Sequence, residues 1–148
     1  MSDNRPFDPL KISIIEYKMI KGQVDAPEEF SIEWIKLFDS DANYTLGFNF
    51  DGNFVKADIN IEISTNSEGR NKSEAIGKFH FSYIYHIENL SELVTLNEDK
   101  SIQVVNFELG AALASLTYST SRGVLLIRLQ GTPFQSFILP VIDVKQLL

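Results

Sequence analysis

No cysteine occurs among the 148 residues, which excludes disulfide staples, a thiol nucleophile and a thiolate metal site. No run of about 18 apolar residues occurs either, as a membrane-spanning helix requires. The opening Met-Ser-Asp-Asn-Arg-Pro has no apolar stretch behind its charges of the kind a signal peptide carries, so a cytoplasmic location is expected. Basic residues are scarce. Thirteen Lys plus Arg face 20 Asp plus Glu, a formal net charge of -7, and this balance opposes nucleic acid and anionic lipid, which both need a basic surface. The two histidines, His80 and His86, fall on one predicted strand about 20 Å apart and cannot share a metal, so no metal or other cofactor is expected. The sequence has no P-loop, Gly-x-Ser-x-Gly elbow, HExxH or GxGxxG. The adjacent acids Glu28-Glu29 and Glu98-Asp99 lie in polar segments with no sign of the burial that shifts a pKa. The chain therefore reads as a non-enzyme.

What is present is an ordinary globular composition, 44% hydrophobic and 22% charged, on a length that suits a single domain over 1–148. The charge is unevenly placed. Residues 1–100 hold 18 acidic and 10 basic side chains, whereas 101–148 hold only Glu108, Asp143, Arg122, Arg128 and Lys145. A charge-poor final third must be covered by the rest of the chain or by another copy. Upstream, residues 11–24 read as a strand whose apolar alternation changes phase between Ile14 and Ile15, the mark of a bulge. Residues 25–42 form a long connection with Phe30, Ile32, Trp34, Ile35, Leu37 and Phe38. Tyr44, Leu46, Phe48 and Phe50 then alternate with polar residues, and Asp51-Gly52-Asn53 supplies hairpin chemistry. A third strand carries Val55, Ala57, Ile59, Ile61 and Ile63, and a fourth carries Phe79, Phe81, Tyr83, Tyr85 and Ile87. Short links between these strands imply an antiparallel meander.

From Ser101 to Gln130 the pattern predicts one long helix, with Ser101 as N-cap and Gly131 and Pro133 ending it. On a helical wheel Val105, Leu109, Ala112, Leu116 and Ile127 form one apolar stripe. Phe107, Ala111, Ala114, Tyr118, Leu125 and Leu129 form another on the opposite side. Polar seams separate them, one of them carrying Thr117 and Ser121. Two opposed stripes predict a helix covered on both sides. One sheet cannot supply both covers, so oligomerisation through Phe107, Ala111, Ala114, Tyr118 and Leu125 is expected. Beyond Pro133 an apolar tail ends in a short turn that Asp143 is placed to cap. The fold class is α+β: a four-stranded antiparallel sheet with a long helix on one face and a short C-terminal helix. Eleven aromatic residues lie between Phe30 and Tyr85, more apolar area than one sheet face holds, and the surplus points to a groove.

The order of elements, with Val24-Asp25-Ala26-Pro27, Trp34, Leu109-Gly110-Ala111-Ala112, Gly131-Thr132-Pro133-Phe134 and Phe137-Ile138-Leu139-Pro140-Val141, resembles SecB and the SecB-like export chaperones. The resemblance implies a homotetramer, a dimer of dimers, that holds unfolded or preprotein clients in apolar grooves without ATP. It further implies client-binding positions at Phe30, Trp34, Ile35, Phe38, Leu46, Phe48, Val141, Ile142 and Leu147. The acidic sheet face that docks the SecA motor in this family maps onto Lys21, Asp25, Ile76 and Lys78. Two lysines stand there in place of acids, which argues for another partner, for instance an antitoxin. The competing reading is a small-ligand-binding or enzymatic helix-on-sheet domain with an aromatic-lined pocket.

Overall fold

The computed structural model describes residues 6–69 and 73–147. Four strands, β1 (Ile12–Asp25), β2 (Leu37–Asn49), β3 (Phe54–Asn66) and β4 (Ile76–Ile87), form an antiparallel sheet in the order β1-β4-β3-β2. The crossover that separates β1 from β2 includes a 3-10 turn at Ile32–Trp34 whose first free amide, that of Glu33, is capped by Ser31. Register follows the alternation in the sequence: Ile59 lies opposite both Tyr44 and Phe81, and Ile61 opposite Ala42 and Phe79. β1 contains two bulges, one at Ile15 and one at Ile20, where β4 has no matching residue. The first is the phase change visible in the sequence. Each bulge restores the inward orientation, so that Ile14, Tyr17, Met19 and Val24 share the face of Tyr85, Tyr83, Phe81 and Gly77. β2 begins at Leu37, inside the predicted connection 25–42, because the alternation runs back through Ala42 to Phe38 across the weak position Ser40.

A short helix, α1 (Leu90–Leu93), leads into a two-stranded ribbon of β5 (Val94–Leu96) and β6 (Ile102–Val105). The predicted helix start at Ser101 is therefore wrong. Ile102, Val104 and Val105 are β-branched and pair with β5, and the side chain of Asn106 caps the helix by accepting from the amide of Leu109 at 3.0 Å. The main helix, α2 (Phe107–Arg128), runs without interruption through Gly123. Gly131 follows it in the left-handed region at φ 78°, and Thr132 Oγ1 donates to the Leu129 carbonyl at 2.7 Å, which satisfies one of the orphan helix-end acceptors.

The core lies between α2 and the inner faces of β3 and β4, where Val55, Ala57, Ile59, Ile61, Ile63, Phe81, Tyr83 and Tyr85 are fully enclosed. Phe134, Phe137 and Leu139 close one end of it, and Leu90 and Leu93 also belong to it. At Gly77 a Cβ would meet Phe79 at 2.9 Å and Phe134 at 3.3 Å, so glycine is what admits both rings. The orientation of α2 is set by hydrogen bonds as well as by apolar contact. Tyr83 and Ser121 hydroxyls lie 2.8 Å apart, as do those of Tyr85 and Thr117. Four residues of helix rise about 6 Å and two residues of strand about 6.7 Å, so the two pairs match in pitch.

This pairing corrects the predicted stripes. Thr117 and Ser121, taken as part of a polar seam, face the sheet and are fully buried. Ala114, Tyr118 and Leu125 turn inward with them and are part of the chain's own packing, so they are not available to another copy. Phe107 and Ile127 are 61% and 76% exposed; Leu116 and Leu126 are exposed as well, and Ala111 is half-buried.

Candidate functional site

The inner face of β2 is only partly covered by α2. Phe38, Ala42, Tyr44, Leu46 and Phe48 all point inward and are only half-buried. Beside them lies a trough of three successive hollows, which face in turn the segment after α2, the C-terminal tail and the start of α2. The first, about 400 Å³, is lined by Ile32, Ile35, Leu37 and Phe38 on one side and Pro133 and Gln135 on the other. The second, about 210 Å³, is lined by Ser40 and Ala42 opposite Tyr118, Leu139 and Ile142. The third, about 370 Å³, is formed by Tyr44, Leu46, Val105, Phe107 and Gly110. Leu147 contributes to both the second and the third and divides them.

The tail that supplies Leu147 is held by specific contacts. Tyr118 donates its hydroxyl to the Pro140 carbonyl at 2.5 Å, and the Arg122 guanidinium lies 5.9 Å from the centre of the Tyr118 ring, a cation-π arrangement. Asp143 accepts from the Lys145 amide at 3.0 Å and caps the 3-10 turn Val144–Gln146. Phe38 packs its ring on Phe134 and Phe137, at 6.0 and 5.5 Å between centroids, and so forms a firm inner wall at the base of the first hollow.

Of the client-binding positions expected from the resemblance, Ile35, Phe38, Leu46, Ile142 and Leu147 line these hollows. Phe38 does so from strand β2 and not from the crossover. Phe30 packs against the core, Phe48 stacks on Phe50 at 6.0 Å, and Trp34 is half-buried; none of the three lines a described hollow. Val141 is 89% exposed and lines none either. The sequence reading missed Ala42, Tyr44, Pro133, Leu139, Val105 and Phe107. The even-numbered alternation from Phe38 could have found the first two. Val105 and Phe107 come into place only through the turn at Asn106.

Burial pushes the Tyr44 hydroxyl well above its usual pKa, and the neighbouring Tyr85 hydroxyl adds to the effect. The Thr117 side chain, beside that buried hydroxyl, offsets part of the rise. Tyr83 is pushed up to about 12 by burial, an effect its bond to Ser121 partly offsets, and Tyr85 is raised for the same reason against Thr117. All three therefore remain neutral phenols, Tyr44 in the wall of the third hollow and Tyr83 and Tyr85 in the core beneath α2.

The outer sheet face is polar. Lys21 and Lys78 come together in one hollow with Asp41, Asn43, Asn60 and Glu62, while Asp25 lies opposite Ile76 and accepts from Gln23 at 2.5 Å. His80 Nε2 is 2.8 Å from Asp58 Oδ1, and His86 meets the edge of the Phe54 ring at 5.4 Å, so each histidine has a separate local partner. Among the described residues no cluster of three or more metal-ligating side chains forms, and no helix is long and apolar enough to cross a membrane.

No protein-family model matches the sequence. No curated protein matches it. Among solved structures the chain is similar to a SecB-like chaperone of Mycobacterium tuberculosis in complex with a ChAD peptide from the HigA1 antitoxin. The TM-score is 0.61, over 90% of this chain and 91% of that one, at 9% sequence identity. The fold is therefore SecB-like.

Proposed function

We propose that the protein is an ATP-independent chaperone that holds unfolded segments of other proteins along the trough beside β2. The observation that carries this reading is the trough itself: three open hollows in a row, each with apolar side chains in its lining, where a small-ligand site would present one enclosed cavity. The fold it shares with a chaperone solved in complex with an antitoxin peptide supports the same reading. Apolar burial at about 25 cal/mol per Å² gives affinity with little sequence discrimination. The action is sequestration, with no bond made or broken.

The assembly we propose is a homotetramer, a dimer of dimers, in the cytoplasm. Leu116, Leu126 and Ile127 leave an apolar strip on the outer side of α2, and Ile14, Ile15, Tyr17 and Ile20 leave another on the edge strand β1. Two uncovered strips on different elements suit two kinds of contact between copies. Several troughs on one assembly add avidity to individually weak contacts. Lys21 and Lys78 on the outer face oppose a motor contact built for acidic residues, so the partner served is a narrow client set such as an antitoxin, with SecA-dependent export the lesser reading.

Purified protein is expected to scatter light as a tetramer and, at a few-fold molar excess, to suppress aggregation of a reduced, unfolded model protein. A monomer without suppression would reject the reading.

A further inference from the structure

We infer that the outer face of the sheet is a contact between copies of this chain, in which the β1 and β4 side of one copy lies over the β3 and β2 side of another. This face is across the sheet from the trough, and its charges fall into two zones. Toward the start of β1 they are matched within the chain: Lys18 lies 3.0 Å from Glu16, Lys56 3.8 Å from Asp58, and His80 2.8 Å from the other Asp58 oxygen. Toward the end of β1 they are not. Lys21 and Lys78 share a hollow of about 160 Å³ with Asp41 and Glu62, and Asp39 lines an adjoining one with the same two acids. Among the described residues none of these five side chains forms an ion pair within 4.0 Å.

The unmatched charges are sorted across the strands. In the sheet order β1-β4-β3-β2 the two lysines stand on the first two strands and the three acids on the last two. A two-fold axis parallel to the strands, set between β4 and β3, turns this face onto that of a second copy with β1 over β2 and β4 over β3. Lys78 and Glu62 stand opposite each other in the register, so each meets the other in the second copy. Lys21 arrives over Asn43, two residues from Asp41. Because an isologous contact repeats every pairing, a second copy is complementary by symmetry, whereas an unrelated partner would need both signs in the same places. Exposed Ile76, two residues before Lys78 on the same face of β4, adds apolar surface at this end.

The area is sufficient. Four strands of about 12 residues cover about 19 Å by about 40 Å, which is about 750 Å² per copy and about 1,500 Å² in a pair, the size of a standard specific contact. The net charge of -7 by itself pushes copies apart, most strongly at low salt. A contact held by lysines over acids strengthens at low salt instead, so the salt dependence has opposite signs with and without it.

The test is sedimentation velocity of the full-length protein at about 0.01 M and about 1 M salt, between which the screening length falls from about 30 Å to about 3 Å. The particle at low salt is expected to have at least about twice the mass of the particle at high salt. A mass that stays constant or falls at low salt overturns the contact. K21E/K78E and D41K/E62K are each expected to keep the high-salt mass at low salt. Their equimolar mixture is expected to recover the larger particle, because it restores lysines over acids. Association by either reversed variant alone, or none in the mixture, rejects the pairing of the two sides. K21Q/K78Q removes charge without reversing it and is expected to weaken the association at least about tenfold. Should a reversed variant fail to fold by circular dichroism, this glutamine pair decides: low-salt association equal to that of the unmodified protein rejects the lysines as its source.

Discussion

β2 and β3 are neighbours with the same alternation of apolar and polar residues, yet they have different fates. Every inward side chain of β3 from Val55 to Ile63 is at most 1% exposed, whereas those of β2 are half-buried, or exposed at Ser40. The difference is one of position in the sheet. β3 lies between two strands and under α2, while β2 is at the edge, with the helix, the segment after it and the tail standing off by the width of the trough. Period-two alternation thus identifies which face is apolar but not whether anything covers it. On β3 the apolar face stabilises the fold; on β2 the same chemistry is left for something else.

This contrast can be tested at decreasing scales. The largest effect is expected from alkali. Tyr83 sits under α2 with its pKa raised from 10.0 to about 12, so its contribution to stability is complete below pH 10 and is lost as pH rises through about 12. Tyr44 and Tyr85 are raised too. The covered half of the sheet is therefore expected to come apart between those values, read by Trp34 fluorescence and circular dichroism. Stability that stays flat through pH 12 would contradict the buried tyrosine pairs. Next comes Phe81→Ala on the covered face, expected to cost about 3–5 kcal/mol in denaturant unfolding as a fully enclosed ring is deleted. The smallest is Leu46→Ser on the uncovered face. It is expected to change stability by about 1 kcal/mol or less while weakening suppression of client aggregation. A Leu46→Ser cost as large as that of Phe81→Ala would mean that β2 belongs to the core and would erase the distinction between the strands.

Much of the architecture was legible in the sequence because the signals were local. The hairpin at Asp51 to Asn53, where Asn53 adopts φ 59°, the alternation of β3 and β4, the bulge at Ile15 and the left-handed Gly131 each depend on a few adjacent residues. The helix start was not legible. Val104 and Val105 fit a helical wheel as well as a strand, and the ribbon with β5 decides between them. The rotation of α2 was also hidden. Thr117 and Ser121 are polar by composition, and only the tyrosines across from them, more than 30 residues away in sequence, make the buried side the favourable one.

The sequence by itself determined the antiparallel meander, the apolar face of each strand, the end of the long helix and an excess of aromatic residues over what one sheet face accommodates. Each follows from period, capping or turn chemistry within reach of neighbouring residues. Tertiary structure decided which of that apolar surface is core and which is trough, and that Ala114, Tyr118 and Leu125 serve the chain's own packing while Phe107 faces the trough and Ile127 is left outside. Those outcomes depend on where the helix comes to rest on the sheet, which two hydroxyl pairs and the edge position of β2 fix and which no window of sequence contains.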